Sequence, residues 1–443
     1  MKGLLTKKTM PVDWDELLRK TETVDVRLAL QPQGSVCAIT GGLVRIRLPK
    51  ARLGHWVELT PPNGAPGILA QITGFDQETV WCSPAAPLMG MGPDWGVIRR
   101  DTFGIYGSNQ LLGRVLDGLG NPIDGQGNIS GTHRPLEALA PDPLTRPPVQ
   151  HIFVTGIRAI DGLCTLAAGQ RVGLFAGPGV GKSHLLGQLA RNAAADVKVV
   201  CLVGERGREV REFLDDNLQG RGDFVLIAAT SDVPALVRAL APLTATAVAE
   251  YFRDQGKNVL LLVDSLTRMA RALREIMLQM GQPPARRGYP PAVFAGLPRL
   301  IERAGTSSCG TITAIYTVLV EGNDFDEPVS DEVRGLLDGH LILSRRLAES
   351  GHYPAIDIPR SLSRLANRVL SPAQRALAVR IRAQLAARQE SEELIRMGAV
   401  VPGAFPLLDE ALACAPVVDR FLRQGSEFVP FDVTWETMSQ LIS

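Results

Sequence analysis

The sequence predicts an α/β protein with a phosphate-binding core, a small β-barrel before it and helices after it. Three observations carry this. Residues 23–98 hold short, partly alternating apolar runs broken by Gly and Pro. From about residue 156 the runs become apolar throughout and alternate with helical stretches, and one of them leads into a glycine-rich loop. Residues 365–443 are rich in Ala, Arg, Leu and Glu, all strong helix formers.

Taken in order, residues 1–22 form a separate segment in which Trp14, Leu17 and Leu18 have i, i+3, i+4 spacing. That spacing fits a short amphipathic helix, and because the apolar face is small an ordinary capping helix or tail is favoured slightly over a partner-docking segment. Within 23–98, residues 35–40 (SVCAIT), 43–48 (LVRIRL) and 56–59 (WVEL) alternate apolar and polar positions between turn residues, as barrel strands do. Residues 99–150 read as a Gly/Pro-rich connector, densest in proline at 141–148. Residues 151–364 form the core, with apolar runs at 171–176, 197–203, 224–230, 259–263, 311–320 and 341–343. Strands buried on both faces of a mostly parallel sheet need such runs. Residues 365–443 form the helical end.

Composition narrows the function classes. With 47 Lys and Arg against 46 Asp and Glu, the formal charge is +1, which argues against a general polyanion binder. No apolar run reaches the ~20 residues that cross a bilayer. Residues 1–10 contain lysines but no apolar stretch of secretory-signal length. Six scattered cysteines without a C-x-x-C spacing fit structural thiols in a reduced, cytoplasmic compartment.

The loop Gly177-Pro178-Gly179-Val180-Gly181-Lys182-Ser183 follows the run ending at Ala176 and precedes a helix starting near His184. The strict phosphate-loop pattern places four residues between its glycines, so Ala176 must stand in for the first one. Glycines let backbone N–H groups wrap phosphates, and the helix N-terminus adds its positive dipole end. Lys182 is then the contact for the β- and γ-phosphates, and the Ser183 hydroxyl a ligand for Mg²⁺. A bare glycine-rich turn before a helix is the bland alternative, and the strand–loop–helix context counts against it. His184 belongs to this binding segment as a helix residue rather than as a catalyst.

Residues 259–264 (VLLLVD) end a strand in Asp264, where a Walker B carboxylate would hold Mg²⁺ through water. Alone, an Asp at a strand end is as often a helix cap; the upstream phosphate loop gives it weight. Glu205 follows another strand, at Gly204-Glu205-Arg206-Gly207-Arg208-Glu209. Two readings stand: Glu205 polarises the attacking water, or Glu205 and Glu209 pair with Arg206 and Arg208 on a solvated helix start.

Several segments resemble, in the same order, motifs of the type III secretion export ATPases. They are Arg158-Ala159-Ile160-Asp161, Gly204 through Val210, Asp264-Ser265-Leu266-Thr267-Arg268, Gly288-Tyr289-Pro290-Pro291, Leu337-Asp338-Gly339-His340 and His352 through Asp357. That family has flagellar and injectisome members and is related to the catalytic subunits of rotary ATP synthases. The resemblance spans about residues 25–425. It implies a β-barrel, a RecA-like P-loop ATPase domain and a helical C-terminal domain in a homohexameric ring. The implied activity is hydrolysis of ATP with Mg²⁺ to energise type III protein export, releasing chaperones and unfolding cargo at the secretion gate. Implied partners are a stator-like regulator, a central stalk protein, the export gate and chaperone–cargo complexes. No nucleic acid is expected, and membrane association is expected only peripherally, through partners at the cytoplasmic face.

Carried over by position, the resemblance gives Lys182 and Ser183 the phosphate and Mg²⁺ contacts, with Gly177, Pro178, Gly179, Val180, Gly181 and His184 around them. Glu205 matches the water-activating glutamate, Arg206 an arginine near the γ-phosphate, and Asp264 the Walker B carboxylate. Tyr353 matches the aromatic that stacks on adenine, and Arg364 an arginine finger reaching the neighbouring subunit's site. Without the resemblance, Tyr353 would be a core aromatic at a Tyr-Pro turn and Arg364 a surface arginine. The sequence departs from the family pattern at His184, where a small hydroxyl residue is usual, at Pro359-Arg360, and at Gly398-Ala399-Val400, which lacks an aromatic.

Arg268, Arg271 and Arg274 share one helical face, suited to packing or subunit pairing more than to nucleic acid. The acidic residues 321–327 read as a solvated turn or as the entrance to a ring pore. Two other classes compete. A RecA-type nucleic-acid motor would want aromatic and basic clusters on the barrel, which are sparse. A non-catalytic nucleotide-binding ring subunit would commonly lack the carboxylate at Glu205.

Overall fold

A computed structural model describes residues 33–76, 79–100, 103–320 and 324–441. Residues 1–22 and 321–323, on which two of the expectations fall, lie outside them.

The first unit is a closed six-stranded antiparallel barrel in the order Gly34–Thr40, Leu43–Arg47, Thr79–Pro84, Ile68–Asp76, Trp56–Thr60, Gly96–Arg100. The period of two in the sequence sets its interior. Val44 and Ile46, Val57 and Leu59, Ala70 and Ile72, Val80 and Cys82 point inward as i, i+2 pairs and are buried. Burial pushes the Cys82 thiol up to about 12. The first hairpin turns at Gly41-Gly42, with φ of 59° and 89°. Two consecutive positive φ values match the strand twist of a tight hairpin, and glycine adopts them without strain.

The second unit is built on a nine-stranded sheet. Eight strands lie in the order Leu362–Ser363, Gly339–Ile342, Arg171–Ala176, Thr311–Leu319, Asn258–Asp264, Val197–Val203, Phe224–Ala229, Arg114–Asp117, and Gly305–Thr306 pairs off this path. All neighbours from Gly339–Ile342 to Arg114–Asp117 pair in parallel. Every residue of Val197–Val203 and Phe224–Ala229 is buried, as strands covered on both faces require. Parallel pairing has one consequence for function. The carboxyl ends of four adjacent strands, at Ala176, Leu319, Asp264 and Val203, lie along one edge, where open α/β sheets bind ligands.

Two segments do more than the sequence indicated. Arg114–Asp117, within the connector, is the outermost parallel strand of the sheet. The Arg114 guanidinium meets Asp124 at 2.7 and 2.8 Å, with both side chains buried. The C-terminal helices Pro372–Glu390, Pro406–Leu422 and Phe431–Gln440 share a core with the sheet: Ile381, Phe421, Trp435 and Met438 belong to the same cluster as Val172 and Leu174. Gly162 permits this contact, since a Cβ there would lie 2.3 Å from the Met438 sulfur. Among the described residues, no helix is long and apolar enough to cross a membrane.

Candidate active site

The loop after Arg171–Ala176 wraps with Gly179 and Gly181 at φ 75° and 87°. Both values lie in the left-handed region, so glycine is needed at these two positions. Ala176 ends the strand, buried and without positive φ, which explains why it can replace the first glycine of the pattern. Val180 is buried and anchors the loop tip to the core. Gly181 caps the helix Lys182–Asn192 with no side-chain hydrogen bond, so the first N–H groups are left for an anion. The Tyr353 ring packs on that glycine: a Cβ at Gly181 would lie 2.9 Å from Cε1.

Lys182 reaches across the edge. Its Nζ lies 2.5 and 2.6 Å from the Asp264 carboxylate oxygens and 3.4 Å from Glu205 Oε1. Asp264 is held from beneath by Thr317, whose hydroxyl donates to Oδ1 at 2.6 Å. Glu205 is buried and pairs with Arg268 at 2.5 Å; the same guanidinium donates to Val203 O at 3.2 Å. Glu205 is therefore not part of a solvated pair with Arg206; that arginine is largely exposed, 3.9 Å from Glu209. Two cations, Lys182 and Arg268, offset two carboxylates, Glu205 and Asp264.

Ser183, His184, Glu205, Asp264, Glu209 and Ser426 line a cleft of about 810 Å³. The Ser183 hydroxyl and the Asp264 carboxylate are hard oxygen donors on its wall, the type Mg²⁺ takes when phosphates and water complete its shell. Ser426 comes from the turn after Pro406–Leu422. That turn is tied to the site by Gln424, whose N–H donates to Tyr353 O at 2.9 Å and whose side chain donates to Gly156 O at 2.7 Å.

Arg364 lies elsewhere. Leu362–Ser363 runs antiparallel to Gly339–Ile342, with Ser363 opposite Gly339, so Arg364 leaves at the amino-terminal edge of the sheet. Its own phosphate loop is at the other edge, about 16 Å along the strand at ~3.3 Å per residue. Its side chain is exposed.

Thus Lys182, Ser183, His184, Glu205, Asp264, Gly181 and Tyr353 converge, whereas Arg206 faces solvent and Arg364 is remote. Sequence reasoning missed Arg268 as the partner of Glu205, although it stands one helical turn beyond Asp264. It also missed Thr317 and the turn at 423–428, for which spacing gives no signal. Arg274, on the same face as Arg268, instead stacks on Tyr289 at 5.2 Å. The acidic turn is pinned by Arg287–Asp324 at 2.6 Å.

A phosphate loop and a strand-tip carboxylate on one edge of a parallel sheet define a P-loop nucleotide-binding enzyme. The profile of the ATP synthase alpha/beta family, nucleotide-binding domain, matches residues 156–363. The type III secretion EscN ATPase C-terminal domain matches residues 370–440. The chain is 45% identical over 416 residues to the flagellum-specific ATP synthase of Treponema pallidum, covering 92% of each. It is 45% identical over 398 residues to the type 3 secretion system ATPase of Xanthomonas euvesicatoria, covering 89% of this chain and 90% of that one. The assembled ATPase EscN of enteropathogenic E. coli, solved in complex with its central stalk EscO, superposes with a TM-score of 0.85 at 42% identity, covering 93% of this chain and 100% of that one. The chain belongs to the type III export ATPase family and is an ATPase.

Proposed function

We propose that this chain is the catalytic subunit of a homohexameric ring that hydrolyses ATP with Mg²⁺ to drive type III protein export at the cytoplasmic face of a secretion apparatus. One observation carries the catalytic part: Lys182, Asp264 and Glu205 meet within 3.4 Å at the mouth of the phosphate loop. In this reading the loop residues 177–181 and Lys182 cradle the phosphates, while the helix start at Ser183 and His184 flanks them. Ser183 and Asp264 would hold Mg²⁺, which when bound neutralises charge on the phosphates. Tyr353 supplies a face for adenine. Glu205, steered by Arg268, takes the proton of the attacking water. Arg206, largely exposed beside Glu209, would swing toward the γ-phosphate.

Arg364 serves a neighbouring subunit. Its place at the edge away from its own loop supports this, because a guanidinium there cannot reach its own γ-phosphate. Arginine fingers in other NTPases contribute about 10³–10⁵ in rate. The ring and its stalk partner are inferred from the EscN–EscO assembly at 42% identity. The stator-like regulator, export gate and chaperone–cargo complexes are proposed as partners on the strength of family membership. Domain limits at about residues 23–98, 99–150, 151–364 and 365–443 are proposed as functional divisions.

Glu205→Gln tests the reading. It should bind a fluorescent ATP analogue as wild type does while losing turnover by two orders of magnitude or more (general-base contributions are typically ~10²–10⁴-fold). Retained turnover would remove Glu205 from the mechanism.

A further inference from the structure

We infer that Gln170 is a positioning residue for Arg364, fixing the base of the finger to the strand that carries the phosphate loop. The inference rests on the reading of Arg364 above. Leu362–Ser363 is a strand of two residues, too short for its backbone ladder alone to hold it. Ser361 Oγ, accepting from Ile342 N at 3.0 Å, and Ser361 O, accepting from Arg382 at 2.6 Å, hold the residue before it, and the Ser363 end is held by side-chain bonds that converge on Gln170, which is fully buried. The Gln170 Nε2 donates to Asp338 O at 3.0 Å and to Ser363 Oγ at 3.1 Å. Its Oε1 accepts from Ala167 N at 2.9 Å, and Ser363 Oγ donates in turn to Thr165 O at 2.7 Å. Asp338 O also accepts the backbone N–H of Arg364 at 3.0 Å. One amide thus holds both the residue before the finger and the carbonyl that anchors the finger's own backbone.

The next residue strengthens the frame. Arg171 N and Nε donate to Asp338 Oδ2 at 3.0 and 3.1 Å. Residues 170 and 171 therefore grip Asp338 at two points and begin the strand whose far end is the phosphate loop. An exposed arginine that must meet a phosphoryl group in another subunit needs a fixed base, since a misplacement of 1 Å can cost about 10²-fold in rate. Gln170 supplies that base and lies too far from its own loop to touch the nucleotide there.

The test uses full-length Gln170→Met, which keeps the volume and removes the hydrogen bonds, with Ser363→Ala as a milder second variant. Melting temperature and ATP-analogue affinity confirm a folded chain with a sound phosphate loop. Both variants should lose kcat with KM little changed, Gln170→Met by about 10²-fold. The deciding measurement is complementation in mixed rings. Gln170→Met subunits have an intact site and a displaced finger; Glu205→Gln subunits have a dead site and an intact finger. Mixing the two inactive proteins should restore turnover, and so should mixing Arg364→Ala with Glu205→Gln. Rescue of Arg364→Ala but of neither Gln170→Met nor Ser363→Ala would overturn the role of Gln170 and leave Arg364 standing. Failure of the Arg364→Ala mixture would overturn the cross-subunit finger, and the role of Gln170 with it.

Discussion

Lys182 is paired with Asp264 at the mouth of the phosphate loop, and this gives a prediction of unusual sign. With Nζ at 2.5 and 2.6 Å from Asp264, the ammonium must leave a carboxylate before it can meet a phosphate. Both side chains are nearly buried, 12% and 5% exposed, so water screens the pair little. A hydrogen bond to a charged group contributes about 1.5–3 kcal/mol net. Breaking it should therefore weaken metal-free nucleotide binding by about tenfold to a hundredfold. Asp264→Asn releases the lysine and removes a negative charge from the cleft. It should bind a fluorescent ATP analogue about tenfold or more tightly in EDTA, yet lose turnover when Mg²⁺ is present. Titrating the analogue with and without EDTA, with a melting curve as a folding control, reads both effects. Metal-free affinity that is unchanged or weaker would refute the reasoning, because Lys182 would then not be restrained by Asp264.

Other outcomes follow from neighbouring contacts. Tyr353→Phe should leave KM for ATP unchanged, while Tyr353→Ala raises it about tenfold, the scale of one base–aromatic stack of ~1–3 kcal/mol; steady-state kinetics separate the two. Gly181→Ala should weaken ATP binding in a calorimetric titration, since alanine at φ 87° costs about 1–2 kcal/mol and its Cβ meets Tyr353 at 2.9 Å. Asp124→Asn should destabilise the fold by about 3 kcal/mol at neutral pH in urea melts, the scale for breaking a buried pair. The hydrogen bond from Arg114 holds the Asp124 carboxyl below the usual range against the cost of burial. Its contribution is thus complete above pH ~4 and is lost as pH falls through the depressed folded value, so the two proteins should converge in acid.

Much of this architecture was legible because it follows from local rules. The period of two at Val44/Ile46 announces a barrel strand, and unbroken runs such as residues 197–203 announce strands buried on both faces. The phosphate loop needs only its strand, glycines and helix start, and Asp264 only a strand tip. Other parts depend on partners distant in the chain. Arg114–Asp117 is four residues in a Gly/Pro-rich stretch, too short to show a period, and becomes a strand because the Phe224–Ala229 edge pairs with it. The partnership of Arg268 with Glu205 depends on where two separate strands end. Tyr353 lies against Gly181 through tertiary packing, and nothing in a Tyr-Pro turn predicts that contact. Gln170 carries no signal in the sequence; only the folded chain brings Asp338 and Ser363 to its amide.

The most direct test of the central claim, a catalytic ring with shared sites, is ATP turnover per subunit against protein concentration for wild type and Arg364→Ala. The account predicts a rate that climbs steeply with concentration in wild type, and a collapse at every concentration in Arg364→Ala while ATP binding persists. A rate per subunit independent of concentration and preserved in Arg364→Ala would contradict it, since each chain would then hydrolyse ATP alone.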